Sequence, residues 1–98
     1  MRRVREQAEL RCERSKLRQY VDQIFVPAIE RDGKSKSHVE RHTAAVEYVE
    51  RFVKSPLSPA DIDEQLVLNF DAWLWRQQIS DRRRRDLAEA LRRIAAAY

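Results

Sequence analysis

Residues 79–98 read ISDRRRRDLAEALRRIAAAY, and this stretch decides the fold class. Leu87, Leu91, Ile94 and Tyr98 recur at three- and four-residue steps, which gathers side chains on one face of an α-helix. Ser80 and Asp81 stand at its start, where side-chain oxygens can accept from the free N–H groups of the first turn. Arg82, Arg83, Arg84 and Arg85 then load that turn with cations. A helix start carries partial positive charge, so four arginines there do not favour the helix itself. An anion docked at the helix start would account for them.

Moving upstream, QQIS is a short turn, and a third helix is expected to begin near Asp61 or Asp63. Asp61 with Glu64 three residues on fits a capping box, with Asp in the usual Ser/Thr place. Leu66, Phe70, Trp73 and Leu74 make its core face, while Leu68 and Trp75 project the other way. A helix apolar on two sides is either central or carries a docking surface. The proline-rich SPLSPAD separates it from a second helix, expected from Ser37 to Val53. Val39, His42, Val46, Val49 and Val53 form the stripe of that helix, with Phe52 at its edge. Ser37, Arg41, Ala44, Tyr48 and Arg51 fall opposite. A first helix, KLRQYVDQIFVPAIE, lines up Leu17, Val21, Ile24 and Ala28, with Tyr20 and Phe25 beside them. Pro27 is expected to kink or end it, since proline lacks the N–H and clashes with the preceding turn. RDGKSK is the following loop. Residues 1–16 mix Arg and Glu with few large apolar side chains and read as a helical lead-in or a linker.

The chain has 98 residues, 43% of them hydrophobic, with one glycine and three prolines. That suffices for one domain with a real core and is too poor in turn residues for an all-β fold. The expectation is an all-α bundle over residues 17–98. Cys12 is the single cysteine, so no internal disulfide can form, and it reads as a small helix residue. No apolar run approaches membrane-spanning length and no signal-peptide pattern is present, so a soluble, cytoplasmic chain is expected.

Net charge is +4, but its placement is uneven. Residues 61–75 hold four acids and no Lys or Arg, whereas residues 80–98 hold six arginines against three acids. His38 and His42 are four apart, a spacing that can hold zinc, but HVERH lacks the Glu directly after the first His and no third ligand is evident. His42, on the apolar stripe, reads as a core histidine with its hydrogen bonds satisfied. There is no Gly-rich phosphate loop and no nucleophile elbow; no cofactor or metal is expected, and nothing supports catalysis. The basic clusters are more informative. Lys34, Lys36, Ser37, His38 and Arg41 surround the start of the second helix, and Arg82, Arg83, Arg84 and Arg85 that of the fourth. If both helix starts face the same way, they make a cationic cleft able to straddle duplex DNA. Solvated surface charge is the alternative reading.

The order FVPAIERDGKSKSHVERHTAAVEYVERFV, PLSPADIDEQLVLNFDAWLWRQQ, ISDRRRRDLAEALRRIAAA resembles the N-terminal core-binding domain of tyrosine recombinases, the phage integrase family. Ser35, His38, His42 and Val46 fall on a family pattern of the form SxxTxxxYxxxL. Leu57 opens the LxxI turn, with Ala60 where Ile is usual. Trp73 and Leu74 match an aromatic–Leu pair, Ser80 the Ser before the last helix, and Leu91 with Arg92 its closing LR. The resemblance implies a SAM-like bundle of four or five helices that holds DNA opposite a separate C-terminal catalytic domain. That domain supplies the arginine-rich site and the attacking tyrosine, so Tyr98 is not taken for a nucleophile. The implied partners are duplex DNA, the catalytic domain and other recombinase subunits on DNA, with nucleoid association in a bacterial cytoplasm and no membrane. The rival expectation is a small helical adaptor that binds protein through the Leu68–Trp75 face.

Overall fold

Among the described residues, four helices carry their apolar stripes into one core. The computed structural model describes residues 16–55 and 57–98. The expected lead-in, including Cys12, lies outside the described residues except for Lys16. Helix α1 comprises three contiguous stretches: α-helical Lys16–Tyr20, π-helical Val21–Phe25 and α-helical Val26–Arg31. It is followed by α2 (Lys36–Val53), a 3-10 turn (Pro59–Asp61), α3 (Glu64–Arg76) and α4 (Asp81–Ala97). The all-α bundle expected from periodicity is the observed architecture.

Pro27 neither ends nor interrupts α1, which continues to Arg31. The widened turn just before it, where the Val26 N–H reaches back five residues to the Val21 carbonyl, supplies the reason. A proline ring presses on the carbonyl four residues earlier, and a π turn gives it room. The same widening changes the helix face. Leu17, Val21 and Phe25 are buried at four-residue steps, while Ile24 and Ala28, expected inside, are exposed.

Each later helix has a side-chain cap. The Ser35 Oγ accepts from the His38 N–H at 3.3 Å, the Asp63 Oδ1 from the Leu66 N–H at 2.8 Å and the Ser80 Oγ from the Arg83 N–H at 3.3 Å. Asp63 is therefore the cap of α3. Asp61 instead closes the preceding turn, where its Oδ2 accepts from the Ser58 N–H at 2.8 Å. Two Schellman turns complete the frame. Gly33 (φ 79°) follows α1, with the Lys34 N–H on the Ile29 carbonyl, and Gln78 (φ 65°) follows α3, with the Ile79 N–H on the Leu74 carbonyl. Both positions need a left-handed backbone, which glycine adopts at no steric cost and glutamine does not.

The core is built from Leu17, Val21 and Phe25 of α1, His42, Ala45, Val46 and Val49 of α2, Val67, Phe70 and Leu74 of α3, and Leu87, Ala90, Leu91 and Ile94 of α4. Helix α4 packs against both α2 and α3. Helix α2 meets α1, α3 and α4, so its buried sector is wider than one stripe. For that reason Ala44 and Tyr48, expected on an outer face, pack partly against the core. Tyr98 is 67% exposed, past the last turn of α4, and only lays its ring edge-on to Tyr20 at 5.2 Å.

Candidate nucleic-acid interface

The start of α2 lies alongside the C-terminal half of α4. His38 feels Arg93 and Glu89 of α4, and the Arg41 Nε stands 3.9 Å from the Asp86 Oδ2. The two helix starts therefore do not sit side by side as the cleft expectation required. The basic groups are related instead along the flank of α4 that faces α2. Arg82, Asp86, Glu89 and Arg93 recur at helical spacing on that flank, with Arg83 beside them. Lys34, Lys36, Ser37, His38 and Arg41 border it from the other side.

The four-arginine run is split by helical geometry. Arg82 and Arg83 fall on the α2 side and are exposed. Arg84 turns toward α3 and is held by the fold. Its guanidinium donates to the Ile79 carbonyl at 3.1 Å and pairs with Asp71 at 3.3 Å and Asp81 at 2.7 Å, leaving the side chain 17% exposed. Arg85 lies on the α3 side, in a shallow groove with Leu68, Asp71 and Arg92. Arg84 and Arg85 thus do not join Arg82 and Arg83 on one surface, because side chains 100° apart on a helix cannot share a face over four consecutive residues.

The acids of residues 61–75 are consumed within the molecule. Asp61 and Asp63 cap turns, Asp71 holds Arg84, and Glu64 forms a two-pronged pair with Arg92 at 2.7 and 3.2 Å. Arg92 holds the Glu64 carboxyl below the usual carboxylate range. By contrast, the side chains of Lys34, Lys36, Arg82, Arg83 and Arg85 enter no ion pair or hydrogen bond among the described residues. Arg93, which sequence reading passed over, belongs to the same flank; its spacing of eleven from Arg82 was the available signal. It pairs with Glu89.

Beneath the cations sits His42. It is fully buried, its Nδ1 donates to the His38 carbonyl at 2.7 Å, and its ring packs on His38 at 4.5 Å and Phe25 at 5.0 Å. Its Nε2 has no partner among the described residues, so the expected satisfied histidine is satisfied at one nitrogen only. Burial pushes its pKa below the ordinary histidine value; the hydrogen bond to the His38 carbonyl opposes the shift, and the charges of His38, Arg93 and Arg41 add to it. His38 is shifted the same way, by desolvation and then by Arg93, Lys34 and Arg41. Below the unfolded-chain value of about 6.5 the unfolded state therefore binds protons that the folded state refuses. Stability is full above that pH and falls as acid is added. Urea unfolding should show a weaker fold at about pH 5.5 than at pH 7.5. His42→Phe should flatten the difference; equal wild-type stability at both values would contradict it.

Among the described residues no group of three or more His, Cys, Asp or Glu could hold a metal ion, and no helix is long and apolar enough to cross a membrane. Comparison with known families gives one finding: the sequence model of the phage integrase SAM-like domain matches residues 15–93. No curated protein and no solved structure gives a significant match.

Proposed function

The chain belongs to the phage integrase SAM-like domain family, and from that premise we propose that it is the non-catalytic, DNA-gripping part of a tyrosine site-specific recombinase. The contacts run along the α2–α4 flank: Lys34, Lys36, Ser37, His38 and Arg41 on one side, Arg82, Arg83 and Arg93 on the other. One observation supports this most. The acids of α3 and its approach are matched inside the fold, whereas Lys34, Lys36, Arg82 and Arg83 are left solvated without a partner among the described residues. Such groups are available to replace the counterions of a phosphate backbone. The catalytic domain and other recombinase subunits are the further partners this role implies, and α3 faces away from the DNA.

Phosphate contacts position a protein without reading sequence. Two duplexes of equal length and unrelated sequence should therefore bind with affinities within a few-fold of each other at low salt. Fluorescence anisotropy of labelled duplexes measures this. Absence of binding to either would remove the proposal and leave the helical-adaptor reading. A preference for one duplex of about a hundredfold or more would show base readout that these side chains do not explain.

A further inference from the structure

The outer face of α3 carries an apolar stripe that the DNA reading does not use. Leu68, Ala72 and Trp75 follow one another at i, i+4 and i+7 and are exposed, Leu68 at 54% and Trp75 at 65%. The spacing puts all three on one side of the helix. A tryptophan and a leucine left in water two turns apart on one helix form an anchor pattern for a facing helix.

Around the stripe, the charge left unpaired among the described residues is positive. Arg85 borders Leu68, and Arg76 lies beside Trp75; neither enters an ion pair among the described residues. The acids that border the same face are all engaged: Glu64 by Arg92, and Asp71 and Asp81 by Arg84. We infer that this face docks an amphipathic helix of another protein, with an apolar stripe flanked by Asp and Glu. A second copy of this chain would bring its own Arg76 and Arg85 to a surface with no free acid among the described residues. Residues 1–15 hold five arginines against three glutamates and are likewise the wrong sign. Nucleic acid would match the arginines but would leave Leu68 and Ala72 against a charged backbone.

The test uses the full chain and two synthetic helical peptides. Both carry leucine at i, i+3, i+4 and i+7; one is flanked by glutamates and its twin by lysines. Calorimetry should show the acidic peptide binding at least about tenfold more tightly than the basic one, with Trp75 emission moving to shorter wavelength. Trp75→Ala should weaken it by about tenfold or more, and Arg85→Glu, a change at an exposed position, should abolish the peptide preference. The inference is overturned by equal affinity for the two peptides or by no binding up to about 1 mM. Self-association abolished by Trp75→Ala would assign the face to a second copy. Displacement of the acidic peptide by single-stranded oligonucleotide would assign it to nucleic acid. Either result overturns the inference. It does not depend on the α2–α4 flank, so failure of duplex binding leaves it standing.

Discussion

Replacing Lys34, Lys36, Arg82 and Arg83 together by alanine is expected to remove most of the duplex affinity. Each phosphate contact contributes counterion release worth roughly tenfold in affinity at about 0.1 M salt, so loss of four contacts should cost two to four orders of magnitude. The fold should survive, because all four side chains are exposed and unpartnered among the described residues. A control removes two charges elsewhere. Arg76→Ala with Arg85→Ala, on the α3 side, should change affinity by no more than a few-fold. Arg84→Ala is informative for a different reason. It frees Asp71 and the Ile79 carbonyl and should lower stability by about 1 kcal/mol, with little change in affinity for the molecules that remain folded. Equal losses per charge removed in the four-residue variant and the α3-side control would mean that net charge, and not the α2–α4 flank, attracts DNA.

Phe70→Ala should have the largest effect on the fold. Phe70 is fully buried, with its ring 6.0 Å from Phe52 and 6.3 Å from Trp73, where α3 meets the end of α2. Deleting a buried aromatic ring costs about 3–5 kcal/mol in lost burial and residual cavity. A domain of this length has roughly 5–15 kcal/mol in total, so the variant should be largely destabilised. Thermal melting should fall by about 15–30 °C at the usual conversion for domains of this size. Trp73, part of the same aromatic cluster, reports the loosening in its fluorescence. A melting point within a few degrees of the parent would show that the α2–α3 junction repacks freely, contrary to the packing described.

The α4 stripe was legible over Leu87, Leu91 and Ile94, which recur at helical spacing, but not at Tyr98, which lies past the last turn and is exposed. Ser80 and Asp81 likewise announced its start. Helix α1 was misread in its face, since a π turn shifts the period from 3.6 residues and no residue type encodes it; Pro27 was the only hint. Asp61 and Asp63 were interchangeable as caps until the 3-10 turn used one of them. The basic residues were found by type and position, but their grouping depended on how α2 passes α4. A run of four arginines reads as one patch in a sequence and becomes two on a helix. Conversely, Arg93 and His38 are far apart in the chain and joined only by packing. The unpaired Nε2 of His42 was also hidden, because complete burial leaves it without a partner among the described residues.

The central claim is that solvated cations of the α2–α4 flank bind duplex phosphates. The most direct measurement is the dependence of duplex affinity on salt for the wild-type chain. With Lys34, Lys36, Arg82 and Arg83 engaged, and Arg41 and Arg93 adding to them, a plot of log K against log salt should be linear with a slope between about −3.5 and −5.5. A slope near zero, or no measurable binding even at low salt, would contradict the account.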